Sequence, residues 1–389
     1  MDILEKKENQ KFSVTPSDLI YLNADVGSVF DSQVANLLTA ISKFNTFKSI
    51  ILVCGVKSNH EKIRAQRALI NSGVTLVFFK AYPNYPIFNL LQQGEIYRAL
   101  KRAKTGENHQ IHIRGELLAS NALPAIIKLF GNTNKVLVDI RGAGIEELSI
   151  YQAATGWKLF LKNWNYRLAF RKLKNFIKIS VVSPSLKEYL IEKTSIEPER
   201  IYINPCLAGK NFRFNEESRA KTRHELGLNV SDKLFIFSSG GSAGWQNTNE
   251  IGNLISDKYL ILNLSKTEID KKGVLNHFVS YSKVHDYLNA ADAAIIFREA
   301  NIVNKVACPV KFCEYVSCGL PVISNHAVDE IKNYISQNKA GIILNQPSDI
   351  HNIDLENLIK EDRISQSETA LSKYGEEQVV AKYLDIYFN

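Results

Sequence analysis

Three stretches of this sequence set polar and charged residues beside glycines in ways that could bind phosphate, ribose or a sugar hydroxyl. The longest is Cys308-Pro-Val-Lys-Phe-Cys-Glu-Tyr-Val-Ser-Cys-Gly-Leu-Pro-Val-Ile-Ser324. Pro309 suits the first position of a helix, where a missing N–H costs nothing. Gly319 and Pro321 end that helix, and Val322-Ile323 begin a strand. Inside it Lys311, Glu314 and Cys318 are spaced i, i+3 and i+7 and share one face. A lysine near a helix N-terminus, among unpaired backbone donors, can hold phosphate. A carboxylate one turn further along can accept hydrogen bonds from two ribose hydroxyls. Taken alone, Lys311 and Glu314 could equally be an ordinary solvated pair, which is common and weak.

The second stretch, Phe235-Ile-Phe-Ser-Ser-Gly-Gly-Ser-Ala-Gly-Trp-Gln246, reads as a strand entering a Gly-rich loop. Gly240 and Gly241 would let backbone N–H groups approach a phosphate or sugar, although a plain tight turn has the same composition. Arg298 and Glu299 directly follow an apolar run at 293–297 and are candidates for the same ligand. The third stretch is Asp139-Ile-Arg-Gly-Ala-Gly-Ile-Glu-Glu147. Asp139 and Arg141 could orient an acceptor hydroxyl or counter a leaving phosphate, or form a buried salt bridge that fixes the loop. Arg114, in His112-Ile-Arg-Gly-Glu116, ends the preceding strand. Gly27 and Ser28 lie in a loop, Asp25 to Gln33, that enters the first helix, which Asp31 or Ser32 could cap.

Short apolar runs and helix-like segments alternate along the chain. Strands are expected at 19–22, 50–54, 75–79, 110–113, 136–139 and 179–182, each a short run without polar alternation. Helices are expected between them at 32–44, 61–71, 89–104 and 124–130, followed by a long basic segment and a helix ending near 194. Residues 204–215, with Pro205 and Gly209, read as a linker. The pattern restarts with strands at 234–238, 260–263, 277–280, 293–297, 321–324 and 341–344, and a final amphipathic stretch covers 365–388. Strands alternating with helices predict parallel, doubly wound sheets, which bind ligands at their carboxyl ends.

A length of 389 residues suits two such domains rather than one core. The polar opening MDILEKKENQKF predicts no signal peptide, and no apolar run reaches about 18 residues, so no membrane span is expected. Five cysteines without a compact framework point to a reducing compartment, the cytoplasm. Cys308, Cys313 and Cys318 are five apart, which on a helix turns each by about 500° and scatters them, so no zinc site is expected. The net charge of +8 is local. Between Gly156 and Lys178 the chain carries Lys158, Lys162, Arg167, Arg171, Lys172, Lys174 and Lys178 with no acidic residue. Trp157, Phe160 and Trp164 are interleaved with these cations, as in an interfacial helix on anionic lipid; a helix packed on the sheet with a solvated basic face is the alternative. No nucleic-acid-binding module accompanies them, so no nucleic-acid partner is expected. Absence of G-x-G-x-x-G after the first strand and of a P-loop argues against dehydrogenases and NTPases.

The full 308–324 string resembles the P-x-K-F-x-E-Y-x-x-x-G-x-P-V-I signature of the family-4 (group 1) glycosyltransferases. Asp139-Ile-Arg-Gly is similar to a D-x-R-G segment in a subset of that family. The resemblance implies the GT-B architecture, two Rossmann-like doubly wound α/β domains facing across a cleft. Its domains would be an acceptor-binding domain at 1–205, a donor-binding domain at 206–365 and a helix at 366–389 crossing back to the first. It implies that Glu314 holds the nucleotide ribose, that Lys311 and Arg298 stabilise the donor's diphosphate, and that Tyr281 lies near the base. Gly27, Ser28, Arg114, Asp139 and Arg141 would face the acceptor. The family often carries a second glutamate eight residues before Glu314, where Val306 stands here. Arg298 and Glu299 are the natural substitutes, and relatives with the P-x-K-F form also lack that glutamate.

The reaction implied is transfer of a sugar from a nucleoside diphosphate to a glycan or lipid-linked hydroxyl, with retention. With no Asp-x-Asp present, neither a metal nor another cofactor is expected. The expected setting is bacterial surface polysaccharide assembly, such as capsule or O-antigen, in the cytoplasm against the inner membrane face. The alternatives are an inactive glycosyltransferase-like binding subunit, for which Val306 speaks, and a GT-B-shaped sugar-nucleotide epimerase.

Overall fold

The structure, a computed structural model, describes residues 17–27, 29–151, 155–238, 254–360 and 362–389. The first domain opens with β1 (Ser17–Asn23), α1 (Asn36–Lys43), β2 (Phe47–Val56), α2 (Asn59–Ala68), β3 (Val74–Lys80) and α3 (Asn89–Ala103). It continues through β4 (His109–Arg114), α4 (Glu116–Phe130), β5 (Val136–Ile140), α5 (Gly144–Tyr151), α6 (Gly156–Lys172), β6 (Lys178–Val181), α7 (Pro184–Thr194) and β7 (Ile201–Ile203). The second domain contains α8 (Glu216–Glu225), β8 (Leu234–Phe237), β9 (Leu260–Asn263), β10 (Val274–Asn276), α9 (Val284–Ala290) and β11 (Ala293–Ile296). Then come α10 (Ile302–Lys305), α11 (Val310–Ser317), β12 (Val322–Asn325), α12 (Asp329–Asn338), β13 (Gly341–Leu344), α13 (Leu355–Ile359), α14 (Arg363–Tyr374) and α15 (Glu376–Phe388).

Both sheets are parallel, with strand orders β3-β2-β1-β4-β5-β6-β7 and β10-β9-β8-β11-β12-β13. In each, the chain winds outward one way and then the other, so the order reverses between β1 and β4 and between β8 and β11. Such a reversal opens a crevice at the strands' carboxyl ends, because the helices on either side go to opposite faces. The inner strands are buried on both faces, which is why their sequences are unbroken apolar runs; all of β1 is buried, whereas the edge strands β3 and β10 are only partly so.

Several boundaries differ from expectation. Strand β10 lies wholly ahead of the strand expected at 277–280: it ends at Asn276, which is tied to Asn263 (2.8 Å), and Phe278 beyond it is 63% exposed. Helix α4 starts at Glu116 and carries Pro124 inside it, not at its first turn. A proline there leaves the carbonyl four residues back without its helical donor. That carbonyl, on Ser120, accepts from Lys172 Nζ at 3.4 Å. Strand β7 was not foreseen; at three residues it is too short to leave a pattern.

One apolar cluster runs from the first sheet to the second through Cys206, Ala208 and Phe212. The last two helices separate at Gly375. Helix α14 packs on α11, with Ser367 Oγ donating to the Ser317 carbonyl and Arg363 Nη2 to the Cys318 carbonyl (2.9 Å). Helix α15 packs Val380, Tyr383 and Tyr387 against Leu19, Tyr21 and Leu52 of the first domain. No helix among the described residues is long and apolar enough to cross a membrane.

Gly319 closes α11 with the Leu320 N–H on the Tyr315 carbonyl and its own N–H on the Val316 carbonyl. Its φ is +70°, and a Cβ there would sit 2.2 Å from the Arg363 carbonyl oxygen. Gly319→Ala should therefore cost about 2 kcal/mol or more and push α14 off α11. Thermal unfolding checks this: a midpoint equal to the parent's would refute the close approach.

Candidate functional site

Helix α11 exists because Pro309 caps its start in an extended conformation and Phe312, Cys313 and Val316 supply its buried side. Pro309 is the cap rather than the first helical residue, one position from expectation. Lys311 then lies in the first turn, and its Nζ reaches Glu314 Oε2 at 2.9 Å. This is not a solvated surface pair, because Glu314 has no exposed surface. Its other oxygen, Oε1, accepts from the Tyr281 hydroxyl at 2.9 Å. That hydroxyl in turn accepts from Asn36 Nδ2, on α1 of the first domain, at 3.2 Å. Burial, and then the Glu314 carboxylate, push the Tyr281 phenol far above its ordinary pKa, so it stays a donor. Lys311 Nζ also lies 5.6 Å from the Tyr281 ring centre, and the Phe212 ring of the linker packs against Tyr281 with centroids 5.6 Å apart. The sequence shows the lysine and the glutamate; it gives no sign that Asn36, 245 residues before Tyr281, completes the group.

The Gly-rich loop residues Gly240 and Gly241 lie outside the described residues, as does Ser28. The loop's root is described: the Ser238 N–H at the end of β8 donates to the Tyr315 hydroxyl at 3.0 Å, so α11 anchors the chain entering the loop. Arg298 and Glu299 follow β11. The backbone of Arg298 is pinned by Asn325, whose Nδ2 donates to its carbonyl at 2.7 Å. The guanidinium is buried, which lowers its pKa to about 10 against the opposing influence of Tyr315 and Tyr151. Glu299 is exposed and accepts from the Tyr151 hydroxyl at 3.3 Å, while Asn301 and Asn304 donate to that same oxygen at 2.6 and 3.0 Å. Tyr151 ends α5, so this is a clasp between domains. Val306 faces the core with 1% exposure, and its carbonyl accepts from Ser183 Oγ at 2.6 Å, a second clasp.

The first-domain candidates divide. Asp139 is fully buried and ringed by Ser180 Oγ (2.7 Å), Arg141 Nη1 (3.5 Å), His112 Nε2 (3.6 Å) and Arg114 Nη1 (3.8 Å). His112 Nδ1 pairs with the Tyr387 hydroxyl at 2.6 Å, and Arg141 reaches Tyr383, Gln33 and the Cys206 sulfur. For Asp139 the geometry carries the buried-ion-pair reading: it stitches β4, β5 and β6 to α15 and the linker. Burial opposes ionisation of Asp139, but Arg141, His112 and Arg114 outweigh it and hold the carboxyl far below its ordinary pKa. Burial also lowers the His112 pKa, keeping the ring neutral. Gly27 lies in the loop after β1, beside Asp25.

Cys308 and Cys313, expected to diverge, bring their sulfurs to 3.7 Å, because Cys308 precedes α11 and the helical rotation does not apply to it. All five cysteines are free and buried. In the basic segment, Lys158, Arg167 and Arg171 are exposed on α6 together with Trp157 (68%), Phe160 (60%) and Trp164 (51%). Lys162 turns instead toward the Tyr85 ring, 5.7 Å away, and Lys172 serves the Ser120 carbonyl.

No family model and no curated protein matches this chain. Solved structures do. A glycosyltransferase from Rickettsia africae superposes with a TM-score of 0.69, covering 96% of this chain and 98% of its own at 12% identity. The Anabaena protein Alr3699/HepE, in complex with UDP, gives 0.67 over 95% and 99% at 11% identity. WaaG, a glycosyltransferase involved in lipopolysaccharide biosynthesis, gives 0.62 over 95% and 100% at 12% identity. The chain has the same two-domain fold, that of the GT-B glycosyltransferases.

A depressed carboxyl pKa in the folded state stabilises above the unfolded value of about 4 and loses that contribution as pH falls below it. Stability against urea should thus fall progressively as the pH drops below about 4, and Asp139→Asn should both flatten that fall and cost about 3 kcal/mol at neutral pH. A parent-like pH profile in the variant would show that Asp139 is not the group responsible.

Proposed function

We propose that this chain is a glycosyltransferase that moves a sugar from a nucleoside diphosphate to a hydroxyl of a glycan or lipid-linked acceptor. The reading rests on the Lys311–Glu314–Tyr281 group: a cation at a helix N-terminus and a carboxylate one turn behind it, held at the junction of two GT-B domains. Lys311 and the free N–H groups of α11 would take the donor's diphosphate and stabilise it as it leaves. Glu314 would accept the ribose hydroxyls in place of the Tyr281 hydroxyl. Arg298, at the end of β11, would add a second cation. Turnover would come from holding the acceptor hydroxyl in line with the anomeric carbon, with retention and without a metal ion; no side chain is assigned as a base.

The setting we favour is bacterial surface polysaccharide assembly at the inner face of the membrane. The exposed face of α6 supports it, and so does a neighbouring apolar shelf: Ile87 (73% exposed), Leu90 (80%) and Leu91 (52%). The shelf is tied to α6 by the Asn89–Asn165 hydrogen bond at 2.8 Å. Aromatic and aliphatic side chains among cations, with no acid between 156 and 178, suit an anionic lipid surface. Val306 in the core favours one rival, an inactive glycosyltransferase-like subunit.

Titration with UDP and with GDP should show Glu314→Ala and Lys311→Ala each weakening nucleotide binding by about 10–100-fold, the loss of one charged hydrogen bond. Parent-like binding by both would remove the donor site. Slow, chelator-insensitive hydrolysis of a nucleotide sugar, reduced by Lys311→Ala, would separate an enzyme from an inactive subunit; epimer formation without acceptor would mark an epimerase. Separately, phosphatidylcholine vesicles containing phosphatidylglycerol should sediment the protein at low salt. Replacing Lys158, Arg167 and Arg171 by Gln should abolish this, at about 1 kcal/mol per cation. Sedimentation unchanged by that triple substitution would refute the lipid contact.

A further inference from the structure

Three of the five cysteines meet where the two domains join, and the proposed transfer uses none of them. Cys206 lies in the linker after β7, Cys308 directly before the Pro309 cap of α11, and Cys313 inside that helix. The Cys308 and Cys313 sulfurs are 3.7 Å apart. The Cys206 thiol is hydrogen-bonded to Cys308 in turn, which makes a row of three sulfurs. Arg141 heads the row, its Nη2 donating to the Cys206 sulfur at 2.9 Å. Cys54 in β2 and Cys318 at the end of α11 are bonded to no other sulfur among the described residues.

A buried cysteine is ordinarily an inert, small apolar side chain. Two observations set Cys206 and Cys308 apart. The first is the guanidinium on Cys206, the kind of neighbour that favours a thiolate. The hydrogen bond to Cys308, and then burial, hold the Cys206 thiol well above its ordinary pKa, with Arg141 opposing them. The second is position. Cys206 and Cys308 stand on either side of the junction and each keeps 5% exposure, whereas Cys313 has none. Across that junction run neutral hydrogen bonds, from Ser183 Oγ to the Val306 carbonyl at 2.6 Å and from Asn36 to Tyr281 at 3.2 Å. Water can replace such bonds at small net cost, so a parting of the domains would let a small oxidant reach the row.

We infer that Cys206 and Cys308 are a redox-modification site: a hydroperoxide converts them to a reversible disulfide that fastens the linker to the start of α11. In the first step the Cys206 thiolate attacks hydrogen peroxide. The O–O bond breaks, Cys206 becomes a sulfenic acid, and the departing hydroxide takes up the thiol proton as water. In the second step the Cys308 sulfur attacks the sulfenic sulfur. The S–S bond forms, the S–O bond breaks, and a second water leaves with the Cys308 proton. Two electrons pass from the sulfurs to the peroxide, and a dithiol returns them by exchange. A bridge of this kind suits a reducing compartment, where disulfides are transient and sensing. Cys308 sits between Val306, whose carbonyl Ser183 holds, and the Pro309 cap. The bridge would therefore fix the end of α11 that carries Lys311 and stop the domains from parting. The glycosyltransferase reading enters only in what this does to a nucleotide, not in the bridge itself.

The test treats the reduced full chain with hydrogen peroxide and measures its intact mass. A loss of two hydrogens, restored by dithiothreitol, is expected, and peptide mapping should join Cys206 to Cys308. Cys206→Ser and Cys308→Ser should each prevent it, and Cys313→Ser should not. In Cys308→Ser protein, dimedone should label Cys206, where the sulfenic acid has no thiol to meet. The bridge closes a loop of about a hundred residues, so the thermal midpoint should rise by about 5 °C on oxidation and return on reduction. UDP release, followed by stopped flow, should slow about tenfold in the oxidised protein. A mass unchanged by peroxide, a bridge mapped to Cys308 and Cys313, or UDP release at the same rate in both states overturns the inference. Should the reduced chain fail to bind UDP at all, the nucleotide reading falls, while mass and midpoint still decide the bridge. Should UDP bind and no bridge form, the nucleotide reading stands alone.

Discussion

Glu314 carries a charge into a place with no solvent, and the junction between the domains is organised around that fact. An isolated carboxylate so deep would be far too costly, so each oxygen has a partner: Lys311 on one, the Tyr281 hydroxyl on the other. Tyr281 is held in turn by Asn36, which makes the first domain part of the compensation.

The two sheets solve the same problem twice. Each reverses its winding direction at a crevice, and each fills the edge of that crevice with polar groups that would be unstable elsewhere in the core. In the first domain the Asp139 network is tied to the end of the chain, since Tyr383 and Tyr387 of α15 supply two of its hydroxyls. Helix α14 meanwhile closes against α11 through Gly319. The last two helices therefore brace α11 with one half and the first-domain network with the other, split at Gly375.

Helix α6 has two occupied faces. Inward it lines a cavity beside the start of α4 with Tyr166 and Lys162, and it supplies Lys172 to the carbonyl that Pro124 leaves open in α4. Outward it shows tryptophans and arginines. Lys158 and Lys172 look equivalent in the sequence, yet one meets solvent and the other replaces a missing helical hydrogen bond, because a stripe's orientation is set by what packs beneath it.

The architecture and the residue pattern of α11 were legible in local sequence. Unbroken apolar runs alternating with amphipathic stretches admit little besides parallel sheets, and Pro309, Lys311, Glu314 and Gly319 mark a helix with a cation at its positive end through strictly local spacing. Local rules also misled where a distant partner intervened: at Pro124, where Lys172 supplies the missing donor; at Asn276, where a side-chain bond ends the strand; and at Cys308, which lies outside the helix assumed for it. Which polar residues are spent on holding the fold is set by long-range packing. Asp139 and Arg114 stand at corresponding ends of adjacent strands and are alike in sequence terms. Asp139 sits at the centre of a cluster drawn from β4, β6 and the loop after β5, and Arg114 reaches that cluster only at 3.8 Å. That difference depends on contacts spanning hundreds of residues, which no local pattern encodes.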